Sequence, residues 1–321
     1  MSRDIGTETS FTHLVGCRLP IQQAGMGGAS TPELVTAVAE SGALGMMGMP
    51  MCRASELVAV LEGIETTTTG VFGINFLVPF LDPEAVDVAA AHTRVVEFFY
   101  GDPDAELVSR VHAGGALASW QVGSELEAQA ASDAGCDLVV AQGTEAGGHV
   151  RGKVSLVPLL ETVLGRVEVP VIAAGGIGTS RSVKAVIAAG AAAARIGTRF
   201  LAAHEADVHP DYLASLISAK AEDTVLTEAF SVGWPDAPHR VLRDCVAAAG
   251  RLEDDPVGET ELPDGRRLSV PRFAPLPPGR ATTGHIRAMA LYAGQSVGDV
   301  RERRAAREIV EELASELATS C

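Results

Sequence analysis

The sequence predicts an α/β protein built on a (β/α)8 barrel. Between Leu19 and about Leu201, eight short apolar runs alternate with helical segments. Several of these runs are near-continuously apolar, as parallel strands covered on both faces must be. The length of 321 residues suits a barrel of about 250 residues with additions. A doubly wound open sheet is the rival. It is expected to carry Gly-x-Gly-x-x-Gly after its first strand, and Gly25-Met-Gly-Gly-Ala-Ser30 breaks that pattern at the last position.

The first strand is Pro20 to Ala24, ending in Gly25-Met-Gly-Gly28. Ser30 or Thr31 then caps a helix with Pro32 in its first turn and Glu33 near its positive end. That helix, to Ser41, places Leu34, Val35, Val38 and Ala39 on one face. Strand two is Ala43 to Met47, strand three Val71 to Val78, strand four Val95 to Phe99 and strand five Ala116 to Trp120. Strand six is Leu138 to Ala141, strand seven Val169 to Ala174 and strand eight Ala193 to Ile196. Helices are expected around Ser55 to Gly63 and from Pro83.

After Ala203 the rhythm changes. Asp211 to Ala221 reads as helix, and Ala229 to His239 as loop. Pro263-Asp-Gly265 between two short runs predicts a hairpin. The domain reading is a barrel over 1–205, an arm or lid subdomain over 206–285, and a C-terminal segment over 286–321. In that last segment an amphipathic helix from Val297 to Thr319 is expected to pack on the outside of the barrel through Ile309, Val310, Leu313 and Leu317.

Composition narrows the function. A net charge of −16 opposes a nucleic-acid or anionic-membrane partner, since either needs a basic face. Five cysteines with no Cys-x-x-Cys predict neither a disulfide framework nor a zinc cluster. The polar N-terminus predicts no secretory leader, and no uncharged apolar run reaches the ~18 residues of a membrane span. A soluble cytoplasmic protein, possibly a homodimer, is the expectation.

In such barrels the chemistry sits at the C-terminal ends of the strands. There the chain offers Met26, Asn75, Gln121, Gln142, Glu145, Gly147, Gly148 and His149, then Gly175 and Gly176, then Gly197 and Thr198. The glycine turns after strands seven and eight suit a phosphate held by backbone amides, which need no net positive charge. His149 alone among the eight histidines follows a glycine pair at a strand end, and histidine exchanges a proton near neutral pH. Glu145 is either a general base or a partner for a loop amide or a ligand hydroxyl. His13, His92, His112, His239 and His285 read as surface or satisfied histidines. Gly147 to Lys153 fits the P-loop spacing, but Val154 stands where Ser or Thr must hold Mg²⁺. His204 and His209 are five apart rather than four, so structural or capping roles are expected of them.

At Pro20-Ile-Gln-Gln-Ala-Gly-Met-Gly-Gly, Gly73-Ile-Asn-Phe, Gln142-Gly-Thr-Glu-Ala-Gly-Gly-His149, Ala173-Ala-Gly-Gly-Ile177, Gly197-Thr-Arg-Phe-Leu201 and Leu291-Tyr-Ala-Gly-Gln-Ser-Val-Gly298, the sequence resembles the nitronate monooxygenase family, FMN-dependent TIM barrels formerly called 2-nitropropane dioxygenases. The resemblance implies that Gly147, Gly176 and the Arg195-Ile196-Gly197-Thr198 turn hold the FMN phosphate, with Gly148 and Gly175 beside them. It implies that Asn75, Gln142 and the backbone near Met26 contact the flavin, and that His149 is the catalytic base or an oxyanion partner. The implied reaction is oxidative denitrification of a small-molecule nitronate by molecular oxygen. An FMN-dependent reductase using NAD(P)H on an enoyl thioester or quinone resembles the same core. One departure is Val150, an extra residue before Arg151-Gly152 that bears on where Arg151 points. Another is Phe230 to Arg240, which matches the family poorly.

Overall fold

The computed structural model describes residues 7–49, 51–262 and 265–317. Eight parallel strands form the central sheet: β1 Ile21–Gln23, β2 Gly45–Gly48, β3 Phe72–Leu77, β4 Val95–Phe99, β5 Leu117–Val122, β6 Leu138–Gln142, β8 Val171–Ala174 and β9 Ala193–Ile196. A two-residue strand, β7 Gly148–His149, lies outside that sheet. β9 pairs with β1, and Gln22 bridges Leu44 beside β2, so the sheet closes on itself as a (β/α)8 TIM barrel. Each expected barrel strand is present, within a few residues of its expected ends.

Short helices cover the barrel: α1 Ser10–Val15, α2 Pro32–Glu40, α3 Ala54–Thr67, α4 Pro83–His92, α5 Ala105–Ala113, α6 Glu125–Asp133, α7 Leu156–Leu164 and α8 Ser180–Ala188. Helix α2 shows how the sequence starts one. The Thr31 hydroxyl accepts from the Leu34 amide at 3.1 Å, Pro32 takes the first turn, and Ser41 ends it. Its buried face is Leu34, Val35, Val38 and Ala39. Each such Leu or Val contributes about 1.5–3 kcal/mol. Thr179 caps α8 in the same way. Helix α1 brings Phe11 and Val15 into a cluster with Leu44, Met46, Leu138 and Ile172 inside the strands, closing the end of the barrel opposite the site.

Beyond the barrel come α9 Pro210–Ser218, β10 Thr224–Thr227, β11 His239–Leu242, α10 Arg243–Arg251, β12 Gly258–Glu261, β13 Arg267–Val270, β14 Thr282–Gly284 and α11 Ala306–Ala314. β12 and β13 form the expected antiparallel hairpin, with β14 added on the other side of β12; Pro263 and Asp264 lie outside the described residues. The terminal helix is shorter than its periodicity predicts. Val297 sits in a 3-10 turn, Gln295–Asp299, and α11 begins only at Ala306. The reason is a pairing the heptad-like pattern does not encode. Arg304 donates its amide to Ala202 at 3.1 Å and its carbonyl accepts from His204 at 2.8 Å, which holds the chain extended before the helix. Ala318 and Thr319 lie outside the described residues. Helix α11 buries Ile309, Val310 and Leu313 against the outer layer, beside α2 and α8.

Candidate active site

A cavity of about 630 Å³ opens at the C-terminal ends of the strands. That is within the range of about 300–1,000 Å³ usual for ligand and cofactor sites. Met26, Asn75, Gln142, Gly147, Gly148, His149, Gly175, Gly176, Arg195, Gly197 and Thr198 all line it, as does Gln121. Ile196 does not. Side chains alternate along a strand, so Ile196 turns into the hydrophobic core while its carbonyl accepts from Ala24 at 2.8 Å.

His149 is placed by a strand pairing absent from the local sequence signal. Gly148 and His149 pair antiparallel with Arg240 and His239 of β11, which pairs in turn with β10. The His149 ring stacks on Trp234 with centroids 4.0 Å apart and planes 24° apart. Tyr100 stands edge-on to it at 5.7 Å, and His239 lies behind it at 5.2 Å. Burial, with the neighbouring His239 second, lowers the His149 pKa to about 3. His149 is therefore neutral across the physiological range, with its Nε2 enclosed and without a hydrogen-bond partner among the described residues. A neutral imidazole in this setting takes a proton only as negative charge develops beside it.

His239 is fully buried and satisfied. Its Nδ1 donates to the Ala237 carbonyl at 2.8 Å, and its Nε2 accepts from the Phe230 amide at 3.2 Å. That arrangement needs the neutral ring, and burial lowers its pKa too. The expectation of a satisfied histidine holds, yet this one also forms the backing of the site.

Gln142 Nε2 donates to the His149 carbonyl at 3.0 Å, leaving its buried Oε1 without a partner. Glu145 acts as a structural acceptor: its two carboxylate oxygens lie 2.9 and 3.1 Å from the Leu156 amide at the start of α7. Val150 settles the direction of Arg151. Its side chain is fully buried and its amide donates to Pro238 at 2.8 Å. Arg151 then turns away from the cavity, pairing with Glu127 at 2.7 Å and with Asp102. His209 caps α9, its Nδ1 accepting from the Asp211 amide at 3.0 Å.

The glycine turns leave room where backbone meets backbone. A Cβ on Gly147 would collide with the backbone nitrogen of Gly294, and Gly175 and Gly176 have φ of 118° and 69°. Gly294 belongs to the Leu291–Gly298 stretch. Its amide donates to Thr198 Oγ1 at 3.0 Å, and Ser296, buried, lines the cavity beside it.

A family model described as nitronate monooxygenase matches residues 8–91 and 83–316. The chain belongs to the nitronate monooxygenase family, whose members are oxidoreductases. A probable nitronate monooxygenase of Staphylococcus aureus (strain Newman) is 32% identical over 336 aligned positions, covering 89% of this chain and 91% of that one. A protein of Rhodococcus jostii (strain RHA1) described as (3aS,4S,5R,7aS)-5-hydroxy-7a-methyl-1-oxo-octahydro-1H-indene-4-carboxyl-CoA dehydrogenase is 33% identical over 235 residues. That match spans 73% of this chain but only 65% of the dehydrogenase. Among solved structures, FabK from Thermotoga maritima superposes with a TM-score of 0.80 at 31% identity, covering 97% of this chain and 96% of that one. Nitroalkane oxidase from Streptomyces ansochromogenes gives 0.75 at 29%, covering 96% and 98%.

In this family member, several site residues escape a linear reading. Glu97 is fully buried in β4, where Oε1 accepts from Asn75 Nδ2 at 2.8 Å and from Arg195 Nη1, and Oε2 accepts from Gln22 Nε2 at 3.2 Å. The signal was available: Glu97 and Arg195 are the only charged residues in their strands. Trp234, Tyr100 and Tyr292 gave no periodic signal, because they reach the site from loops. The Tyr100 backbone has φ of 63°, a strained conformation for a bulky residue.

Proposed function

We propose that the protein is an FMN-dependent nitronate monooxygenase converting an alkyl nitronate and molecular oxygen into a carbonyl compound and nitrite. The observation that carries this reading is a neutral, unpartnered His149 sharing one cavity with two glycine turns. The residues fit a flavin mononucleotide. Amides at Gly147 and Gly176 and hydroxyls at Thr198 and Ser296 would hold its phosphate without a free cation, which suits a cavity whose one charged side chain among the described residues, Arg195, is already paired. Asn75 and the unpartnered Oε1 of Gln142 would meet its ring edge. When bound, the flavin supplies the electron transfer between nitronate and oxygen.

The chain's own residues then do three things. His149 offers a neutral hydrogen-bonding nitrogen to the nitronate oxygens and gains basicity as charge develops there. Trp234 and Tyr100 fix the imidazole plane and keep water from it. The arm over 206–285 supplies β11 behind His149 and closes the substrate side. Flavin released on denaturation, and oxygen uptake with propyl-2-nitronate in the absence of nicotinamide, test the reading. A His149→Asn protein that keeps the full rate would refute the role of His149.

A second reading, an FMN-dependent NAD(P)H-using reductase of enoyl thioesters or quinones, draws support from the likeness to FabK. Anaerobic mixing separates the two. Nitronate bleaches the flavin in the first reading, and NADPH bleaches it rapidly in the second.

A further inference from the structure

The cavity has two halves of different chemistry. The inner half, on the barrel rim, presents backbone amides and the side chains of Asn75, Gln121, Gln142, His149, Thr198 and Ser296. The outer half comes mainly from connecting segments and is largely apolar, with Met51, Leu77, Phe80, Val232, Leu268 and Leu276 on its walls and Ser269 as a polar exception. Large exposed hydrophobic residues are few, and three of them gather here: Met51 is 73% exposed, Val232 47% and Leu268 44%. Exposed apolar residues scattered singly need no explanation, but a cluster around one opening marks a binding surface.

Charge points the same way. No Lys, Asp or Glu lines the cavity among the described residues, and Arg195 is tied to Glu97. A carboxylate or phosphate in the outer half would lose water and gain no counter-charge. The walls are also braced. The Val232 amide donates to the Phe273 carbonyl at 3.2 Å, and the Tyr292 hydroxyl donates to the Pro275 carbonyl at 3.0 Å. The apolar half is thus joined to the rest of the fold rather than formed by free loops.

We infer that the outer half is a subsite for an uncharged apolar chain of several carbons carried by the substrate, which leaves the cavity between Met51, Val232 and Leu268. The assignment of the reacting end rests on the nitronate reading; the subsite rests on the walls alone. The substrate class is therefore nitronates on a long, uncharged chain, and short nitronates bearing a carboxylate are excluded.

Two measurements on the purified flavin-loaded protein test this. The first is kcat/KM for primary nitronates from nitroethane to nitrooctane, with the nitronate of 3-nitropropanoate as the charged comparison. A rise of about three- to fourfold per methylene is expected until the chain reaches the mouth. Leu268→Asp, at an exposed hairpin position, should cut the ratio of nitrooctane to nitroethane about tenfold, and Val232→Asp should do likewise. The second is calorimetric binding of 1-butanol and 1-octanol, which needs no turnover. Octanol should bind at least tenfold tighter, with the preference lost in Leu268→Asp. Equal kcat/KM along the series with equal alcohol affinities overturns the subsite, as does a preference for the carboxylate-bearing nitronate. If no nitronate is oxidised while octanol still binds through Leu268, the reaction assignment falls and the subsite stands.

Discussion

Two pairs of titratable side chains, one inside the barrel and one beside its rim, are built in opposite ways. Glu97 and Arg195 form an ion pair, and the Glu97 carboxylate receives hydrogen bonds from Arg195, Asn75 and Gln22. His149 and His239 are neutral; His239 spends both ring nitrogens on backbone groups, while His149 keeps Nε2 free. A charge buried to hold strands together must have its bonding capacity filled, since an unmet charge there is costly. The His149 Nε2 position is instead left unmet, enclosed and without a partner among the described residues. The open position costs stability that the satisfied pair does not lose, and the fold provides for it by stacking Trp234 on one face of His149 and placing His239 behind the ring.

The largest effect is expected where the filled pair is broken. Arg195→Met leaves Glu97 uncompensated and should cost about 3–5 kcal/mol in urea unfolding. Adding Glu97→Gln should recover much of that loss; no recovery would mean that the two side chains do not act as a pair. Next comes the open pair. His149→Asn should lower kcat by about 10²–10⁴ while changing unfolding stability by less than about 1 kcal/mol. A large stability loss would make His149 structural like Glu97.

Acid should separate the pairs further. In the unfolded chain a histidine titrates near 6.5, and in the fold His149 titrates at about 3. Above pH 6.5 both states are neutral and His149 adds no pH dependence. Below 6.5 the unfolded state takes up a proton that the folded state refuses, so stability falls as pH drops, until about pH 3. The slope is about 1.4 kcal/mol per pH unit for each such histidine, and His239, also lowered, works in the same direction. His149→Phe should flatten this acid limb in urea unfolding at stepped pH, and an unchanged slope would contradict the lowered pKa. The smallest effect belongs to Arg151→Ala. Its partners Glu127 and Asp102 lie at the surface side of α6 and the β4–α5 loop, so a change within about 1 kcal/mol is expected, with no loss of activity. A loss of activity would place Arg151 closer to the chemistry than its pairing shows.

Much of this contrast is legible along the chain, though unevenly. The eight strands could be counted because a strand covered on both faces is apolar over its whole length, as Val139 to Ala141 is. The glycine-histidine motif and the glycine turns stood out because they follow such strands directly. The charged, periodic residues from Arg301 to Ala305 look helical, so periodicity predicts a C-terminal helix longer than α11. Arg304 is instead held extended by Ala202 and His204, which are distant in sequence.

By itself, then, the sequence determined the barrel, the rim on which the site sits and the presence of His149 and the glycine turns there. Local patterns encode those features, because strand burial and tight turns depend on residues a few positions apart. Only the tertiary structure decided that Glu97 faces Arg195, that Trp234 and His239 enclose His149, that Val150 turns Arg151 outward, and that Met51, Val232 and Leu268 share one mouth. Those contacts join residues far apart along the chain. No periodicity carries them; they exist only once barrel closure and the β11–β7 pairing have brought the segments together.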